Sequence, residues 1–155
     1  MDAPAARTRP YIGWRLLALF YDLWPCAALW MVTAIPFVLL DVAVSGSTRH
    51  NIGAFSAMQW GLWLACWIVT GAYAVLSWGR GGQTLGMRPW RLHVVDGRGQ
   101  RPTRRALAMR YVAGSASLLA GGLGFWWAWL DRDRLTWHDR ASGTRVVRRA
   151  QPLRG

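Results

Sequence analysis

The stretch from Gly13 to Leu40, GWRLLALFYDLWPCAALWMVTAIPFVLL, is too long and too evenly apolar for an ordinary buried helix, yet it carries Arg15 and Asp22. A helix needs roughly 20 mainly apolar residues to cross a hydrocarbon layer about 30 Å thick, and runs of that length are rare in water-soluble cores. Two further blocks have the same character, so the apolar segments are read as about 14–40, 54–78 and 106–130. The fold class that follows is an all-α membrane protein, with two full transmembrane helices and a third hydrophobic segment broken by glycine. The first block is read as a retained anchor, because its apolar part exceeds a signal-peptide core of about 7 to 15 residues.

Charge placement sets the expected topology. The chain has a net charge of +12, with no lysine and no glutamate, and in a soluble protein that balance would suggest nucleic acid. Here the arginines are sparse between the first two blocks, where Arg49 is offset in the count by Asp41, and dense from Arg80 to Arg110 and from Arg132 to Arg154. Basic loops stay on the cytoplasmic side. The N-terminal tail with Arg7 and Arg9 is therefore expected in the cytoplasm of a bacterium, the first loop outside and the second loop inside, in the inner membrane. Anionic lipid head groups, and not nucleic acid, are the expected partners of the arginines.

One full crossing by the third block would leave the arginine-rich C-terminal segment outside. Gly121, Gly122 and Gly124 interrupt that block, and glycine weakens a helix and permits a sharp turn. A helical hairpin or re-entrant pair is expected, over about 105–120 and 125–131, as the alternative to a third span. Two short segments flank it. WRLHVV (Trp90 to Val95) runs into an Asp96-Gly97 turn with Pro102-Thr103 at the next helix start, and GTRVVRR (Gly143 to Arg149) is β-branched and basic. They are expected to pair into a small cytoplasmic two-stranded ribbon, which itself requires the third block to return. The domain boundaries are a tail over 1–13, one membrane domain over 14–149 and a tail over 150–155.

Twelve tryptophans are present, and Trp14, Trp78, Trp126, Trp127, Trp129 and Trp137 lie near expected helix ends, the pattern of an interfacial aromatic belt. Cys26 and Cys66 lie inside apolar blocks and read as packing residues. His50, His93 and His138 have no metal-ligand spacing, and no serine lies in a G-x-S-x-G setting. GRGGQTLG (Gly79 to Gly86) lacks the lysine of a phosphate-binding loop and reads as a tight helix exit, and DRDR (Asp131 to Arg134) as a solvated stop. No metal, cofactor or catalytic residue is expected, and the chain is not read as an enzyme.

Arg15 and Asp22 lie almost two helical turns apart, on one face and about 10 Å from each other along the axis. A lone carboxylate in hydrocarbon is costly, so Asp22 must be neutral, paired or wet. Arg110, or Arg15 through a water, is its expected partner. Arg15 is close enough to the interface to extend its head group to water. Asp139, beside His138 in LTWHDRASGT, is expected to cap a short structure or to accept from an arginine.

RLLALFYD, GGQTLGMRPWRLHVVDGRGQRP and DRDRLTWHDRASGTRVV, in that order, resemble the RDD family of prokaryotic membrane proteins, named for an arginine and two aspartates. The resemblance runs from about Trp14 to Val147 and places the arginine at Arg15 and the aspartates at Asp22 and Asp139. It implies an integral membrane domain and, as suggested for some members, exchange of small cations against protons. On that reading Asp22 is the ion or proton site, Arg15 sets its charge state, and an oligomer is needed to enclose a path. The alternative is an accessory or structural subunit whose charges, with Arg110 and His138 as candidate partners, lock the helices, while its surface binds lipid, another membrane protein or a second copy.

Overall fold

The structure, a computed structural model, describes residues 11–46, 52–53 and 55–148. Arg7, Arg9, Arg49, His50, Arg149 and the tail over 150–155 lie outside the described residues. The elements are α1 (Ile12–Ser45), α2 (Ala57–Gly81), β1 (Leu92–Asp96), α3 (Arg104–Leu119), α4 (Leu123–Leu130), α5 (Trp137–Ser142) and β2 (Thr144–Arg148).

α1 and α2 are long and apolar enough to cross a membrane. At 34 residues, α1 measures about 50 Å, well beyond the roughly 30 Å hydrocarbon layer. Its ends must therefore reach into polar surroundings. Pro25 and Pro36 lie inside α1 without ending it.

The third hydrophobic segment is broken as its glycines imply. α3 and α4 meet at 99°. Gly121 and Gly122 take φ of 68° and 79°, a left-handed conformation that side chains disfavour, and their N–H groups donate to the carbonyls of Leu118 (3.0 Å) and Ser117 (2.8 Å) at the end of α3. Gly124 permits the fold-back itself. A Cβ there would lie 2.8 Å from Ser117 Cβ and 3.1 Å from Trp137 Cβ. The second helix thus starts at Leu123, two residues before the expected Phe125, because α4 begins directly on the glycine turn.

β1 and β2 pair antiparallel, Leu92 opposite Arg148 and Asp96 opposite Thr144. The strands begin one or two residues later than the sequence suggests. The ribbon is not alone, which two strands in water could scarcely withstand. Leu92, Val94 and Val146 pack with Ala18, Met87 and Leu107, and Trp14, Trp78 and Trp90 lean on this cluster. After β1, Asp96 Oδ1 accepts the N–H groups of Arg98 and Gln100 (both 2.8 Å), closing the turn, and Thr103 caps α3 by accepting from the Ala106 N–H at 3.2 Å. Because β2 pairs with β1, the chain that leaves the sheet through α3 and α4 comes back to it.

The chain divides into two compact units. One comprises α1 as far as Asp22 and everything from Ala74 onward; the other is Leu23–Tyr73. Within Leu23–Tyr73, Trp30 Nε1 donates to Thr70 Oγ1 at 2.8 Å, and the hydroxyls of Thr33 and Thr70 donate to the carbonyls of Leu29 and Cys66. Such back-bonding satisfies hydroxyls where water is absent. Trp24, Met31, Val32, Leu39 and Trp60 are exposed, as lipid-facing side chains are. Cys26 is buried, Cys66 half-buried, and neither is in a disulfide.

Candidate functional site

Asp139 is fully buried on α5, in a helix start built by its own sequence. Thr136-Trp-His-Asp139 forms a capping box: the Thr136 hydroxyl accepts from the Asp139 N–H, and the Asp139 carboxylate accepts from the Thr136 N–H. Two arginines then converge on the same carboxylate. Arg15 Nη1 donates to Asp139 Oδ2 at 2.6 Å and to Thr136 Oγ1 at 3.2 Å. Arg110 Nη1 donates to Asp139 Oδ1 and, at 2.8 Å, to Thr144 Oγ1. The Arg110 guanidinium also lies over the Trp78 ring, 5.5 Å from its centroid. One carboxylate thereby ties together the start of α1, the first half of α3, α5 and the first residue of β2.

Removing these charges from water costs several kcal/mol per ion, and only dense charge-assisted bonding offsets it. Burial alone would raise the Asp139 carboxyl, but Arg110 and Arg15 hold it well below the usual carboxylate range. His138, its buried neighbour, is pushed down to about 3 by burial and by the adjacent Arg110. It is therefore neutral, edge-on to the Phe125 ring at 4.9 Å, and its Nδ1 has no hydrogen-bond partner among the described residues.

Asp22 occupies a second, different setting. Its Oδ2 accepts from the Thr84 hydroxyl at 2.5 Å and its Oδ1 from the Gly86 N–H at 2.8 Å. Gly86 is required by this contact, since a Cβ there would overlap the Ala18 carbonyl oxygen and lie 2.7 Å from Asp22 Cγ. The residues Gly82 to Gly86 thus do more than leave α2. Gly82, at φ 71°, turns the chain, its carbonyl accepts the Val94 N–H at 2.7 Å, and the residues that follow hold a carboxylate. The reading of this run as a helix exit alone is corrected.

The expected pairing of Asp22 with Arg110, or with Arg15 through water, is also corrected: both guanidinium groups are directed at Asp139. Arg15 does not reach for water either, being only 7 % exposed. It is one helix face with two destinations, Arg15 to α5 and Asp22 to the loop after α2. Asp139 both caps a helix and accepts from arginine, the two roles its sequence offered. The formal charges of Arg15, Arg110, Asp22 and Asp139 cancel.

A model of the RDD family matches residues 9–143, most of the chain. The chain belongs to the RDD family. No curated protein and no solved structure matches it. With the family and its apolar helices together, the chain is a membrane protein of the RDD type. In this RDD domain Arg15 and Asp139 form one cluster, whereas Asp22 belongs to another.

Residues that the sequence reading missed complete both settings. Thr136 was legible, because a threonine three positions before an acidic residue is a capping signature. Thr84, Gly86 and Thr144 carry no such signal. The tryptophans also separate. Trp14 stacks on Trp90 (4.6 Å between centroids) with Arg148 over it at 5.1 Å, and Trp78 Nε1 donates to Met87 Sδ at 3.4 Å, so these two pack inward. Trp126, Trp127, Trp129 and Trp137 are exposed, as a belt requires. The DRDR run is no free stop: Arg140 bonds Asp131 at 2.6 Å and Asp133 at 3.2 Å. No group of metal-ligating side chains is found among the described residues.

Proposed function

We propose that this RDD domain is an accessory or structural membrane module whose named charges hold its helix ends and sheet together. The single observation that carries the reading is the state of Asp139: a fully buried carboxylate, bonded on both oxygens by Arg15, Arg110 and the Thr136 N–H, presents no exposed surface to a substrate. The domain is multi-pass in the inner membrane, with its N-terminus and sheet in the cytoplasm. The exposed Arg88, Arg91, Arg98, Arg101, Arg104 and Arg105 support that orientation, since they cluster in the segment from the end of α2 to the start of α3. Its outer apolar surface meets lipid, another membrane protein or a second copy, and it performs no catalysis.

One observation favours a second reading, small-cation/proton exchange by an oligomer. Asp22 is half-buried, and a hydroxyl is among its partners, a combination able to hold and release a proton or a small cation. Cation-induced dequenching of a pH-sensitive dye in everted vesicles, from a strain lacking its own antiporters, separates the two. The structural module gives no signal from wild type or from Asp22→Asn at equal expression. A wild-type signal that vanishes in Asp22→Asn establishes exchange and overturns the structural reading.

A further inference from the structure

We infer that α4 is an in-plane membrane anchor, a short helix lying at the head-group boundary of an anionic bilayer and fixed there by its tryptophans and by Arg132 and Arg134. The inference needs only that the domain is embedded in a membrane, and it stands whichever function holds.

α4 leaves α3 at 99°, and the chain beyond it returns to β1 through α5 and β2. A segment that turns and comes back cannot carry α4 across as the continuation of a span. The helix has two faces. Gly124, Phe125 and Ala128, one and four positions apart, are buried, Gly124 against Ser117 and Phe125 against His138. Leu123, Trp126, Trp127, Trp129 and Leu130 are exposed, Trp129 by 66 % and Leu130 by 81 %. Such a density of exposed indole rings is untenable in water and typical of the interface, where the ring body is in acyl chain and its N–H in the wet layer.

The chemistry changes abruptly at the end of this helix. One residue after Leu130 the chain enters Asp131-Arg-Asp-Arg134. Asp131 is engaged internally: its Oδ2 accepts the N–H groups of Asp133 (3.2 Å) and Leu135 (3.0 Å), and its Oδ1 accepts from Arg140. Asp133 also accepts from Arg140. Both acidic side chains thus bond Arg140. Arg132 and Arg134 are exposed, and their guanidinium groups have no hydrogen-bond or ion-pair partner among the described residues. A row of exposed indoles ending at two free guanidinium groups matches acyl chains bordered by lipid phosphates, and the charge complementarity specifies an anionic surface.

Site-directed nitroxide labelling tests this. Single cysteines replace Leu119, Leu123, Trp126, Leu130 and Arg132 in a Cys26→Ala, Cys66→Ala background whose thermal melt matches wild type, in nanodiscs of phosphatidylglycerol. Oxygen and nickel-chelate accessibility then reports depth. The expected result is a label depth of about 5–10 Å below the phosphates at Leu123, Trp126 and Leu130 alike, with Arg132 at the phosphate level. In phosphatidylcholine, or with Arg132→Gln and Arg134→Gln together, the α4 labels should move toward water. A steady progression in depth from Leu123 through the bilayer centre to Leu130 would show a span and overturn the inference. So would free access of the nickel chelate to all α4 labels, or depths that ignore both lipid charge and the arginine changes.

Discussion

Asp22 and Asp139, the two aspartates that the sequence singles out, look equivalent along the chain and differ in almost every physical respect in the structure. Asp139 is fully buried, holds a helix start through a capping box and takes two guanidinium groups. Asp22 is half-buried on a membrane helix and is bound by a hydroxyl and a backbone N–H among its partners. A carboxylate with two arginines out of water is locked into its charge and place. One that keeps access to its surroundings can exchange a partner. The contrast supports the architectural role proposed for Asp139 and makes Asp22 the residue on which the exchange test turns.

The strongest way to break this contrast is Asp139→Asn. It would leave Arg15 and Arg110 buried without a counter-charge, and a loss of about 3–5 kcal/mol is expected. In practice, the variant should fail to accumulate in the membrane, as read by immunoblot, or melt far below wild type in detergent. A variant as stable as wild type would remove Asp139 from its structural role. Next is Gly86→Ala, whose methyl would collide with the Ala18 carbonyl and the Asp22 carboxylate. The expected loss is about 1–3 kcal/mol, the usual range for overpacking, measured by the same melt. Asp22→Asn should cost less, about 1 kcal/mol, because the half-buried side chain retains an acceptor for Thr84 and strands no buried guanidinium. If it proves as damaging as Asp139→Asn, the distinction between the two sites collapses.

Acid titration sharpens the comparison further. His138 is pushed down to about 3 in the folded protein, while an unfolded histidine titrates near 6.5. Between those values the unfolded chain binds the extra proton, so stability is full above about 6.5 and falls as the pH drops toward 3, by at most about 1.4 kcal/mol per pH unit. Asp139 has its folded pKa lowered, so its contribution is intact above the ordinary carboxylate value and is lost only in stronger acid. Melting temperature should therefore decline from neutrality to pH 4, and His138→Gln should flatten that decline. The smallest effect is expected of Arg140→Ala. Its side chain is 53 % exposed, and exposed ion pairs contribute about 1 kcal/mol or less. Only the turn over 131–135 should loosen, visible as faster amide exchange there.

Much of the fold is legible in the sequence. Length and uniform apolarity identify α1 and α2, because the bilayer sets one dimension that a spanning helix must meet. Gly121 and Gly122 announced the break between α3 and α4, since left-handed backbone is available to glycine at little cost. The ribbon was visible as β-branched runs bounded by Asp96-Gly97 and Gly143. The site was legible as a set of residue types and not as a set of pairs. Arg15, Asp22, Asp139 and Arg110 could all be named, yet Arg110 was matched to the wrong aspartate. Thr84 and Gly86 stand in the GRGGQTLG run, and Thr144 in the second strand, without a mark of the groups they meet, since nothing local distinguishes a threonine that meets a carboxylate 62 positions away.

What this sequence determines alone is therefore what depends on neighbours along the chain: helix lengths against the bilayer, the glycine turn, the Thr136 to Asp139 cap and the surplus of arginine near the sheet. Only the tertiary structure decides which carboxylate each guanidinium meets. That choice depends on the turn after α4, on the return of β2 to β1, and on the missing Cβ of Gly86 that lets its loop close on Asp22. Charge acts through space at distances of a few ångströms, and no pattern along the chain records which distant residues folding will bring that close.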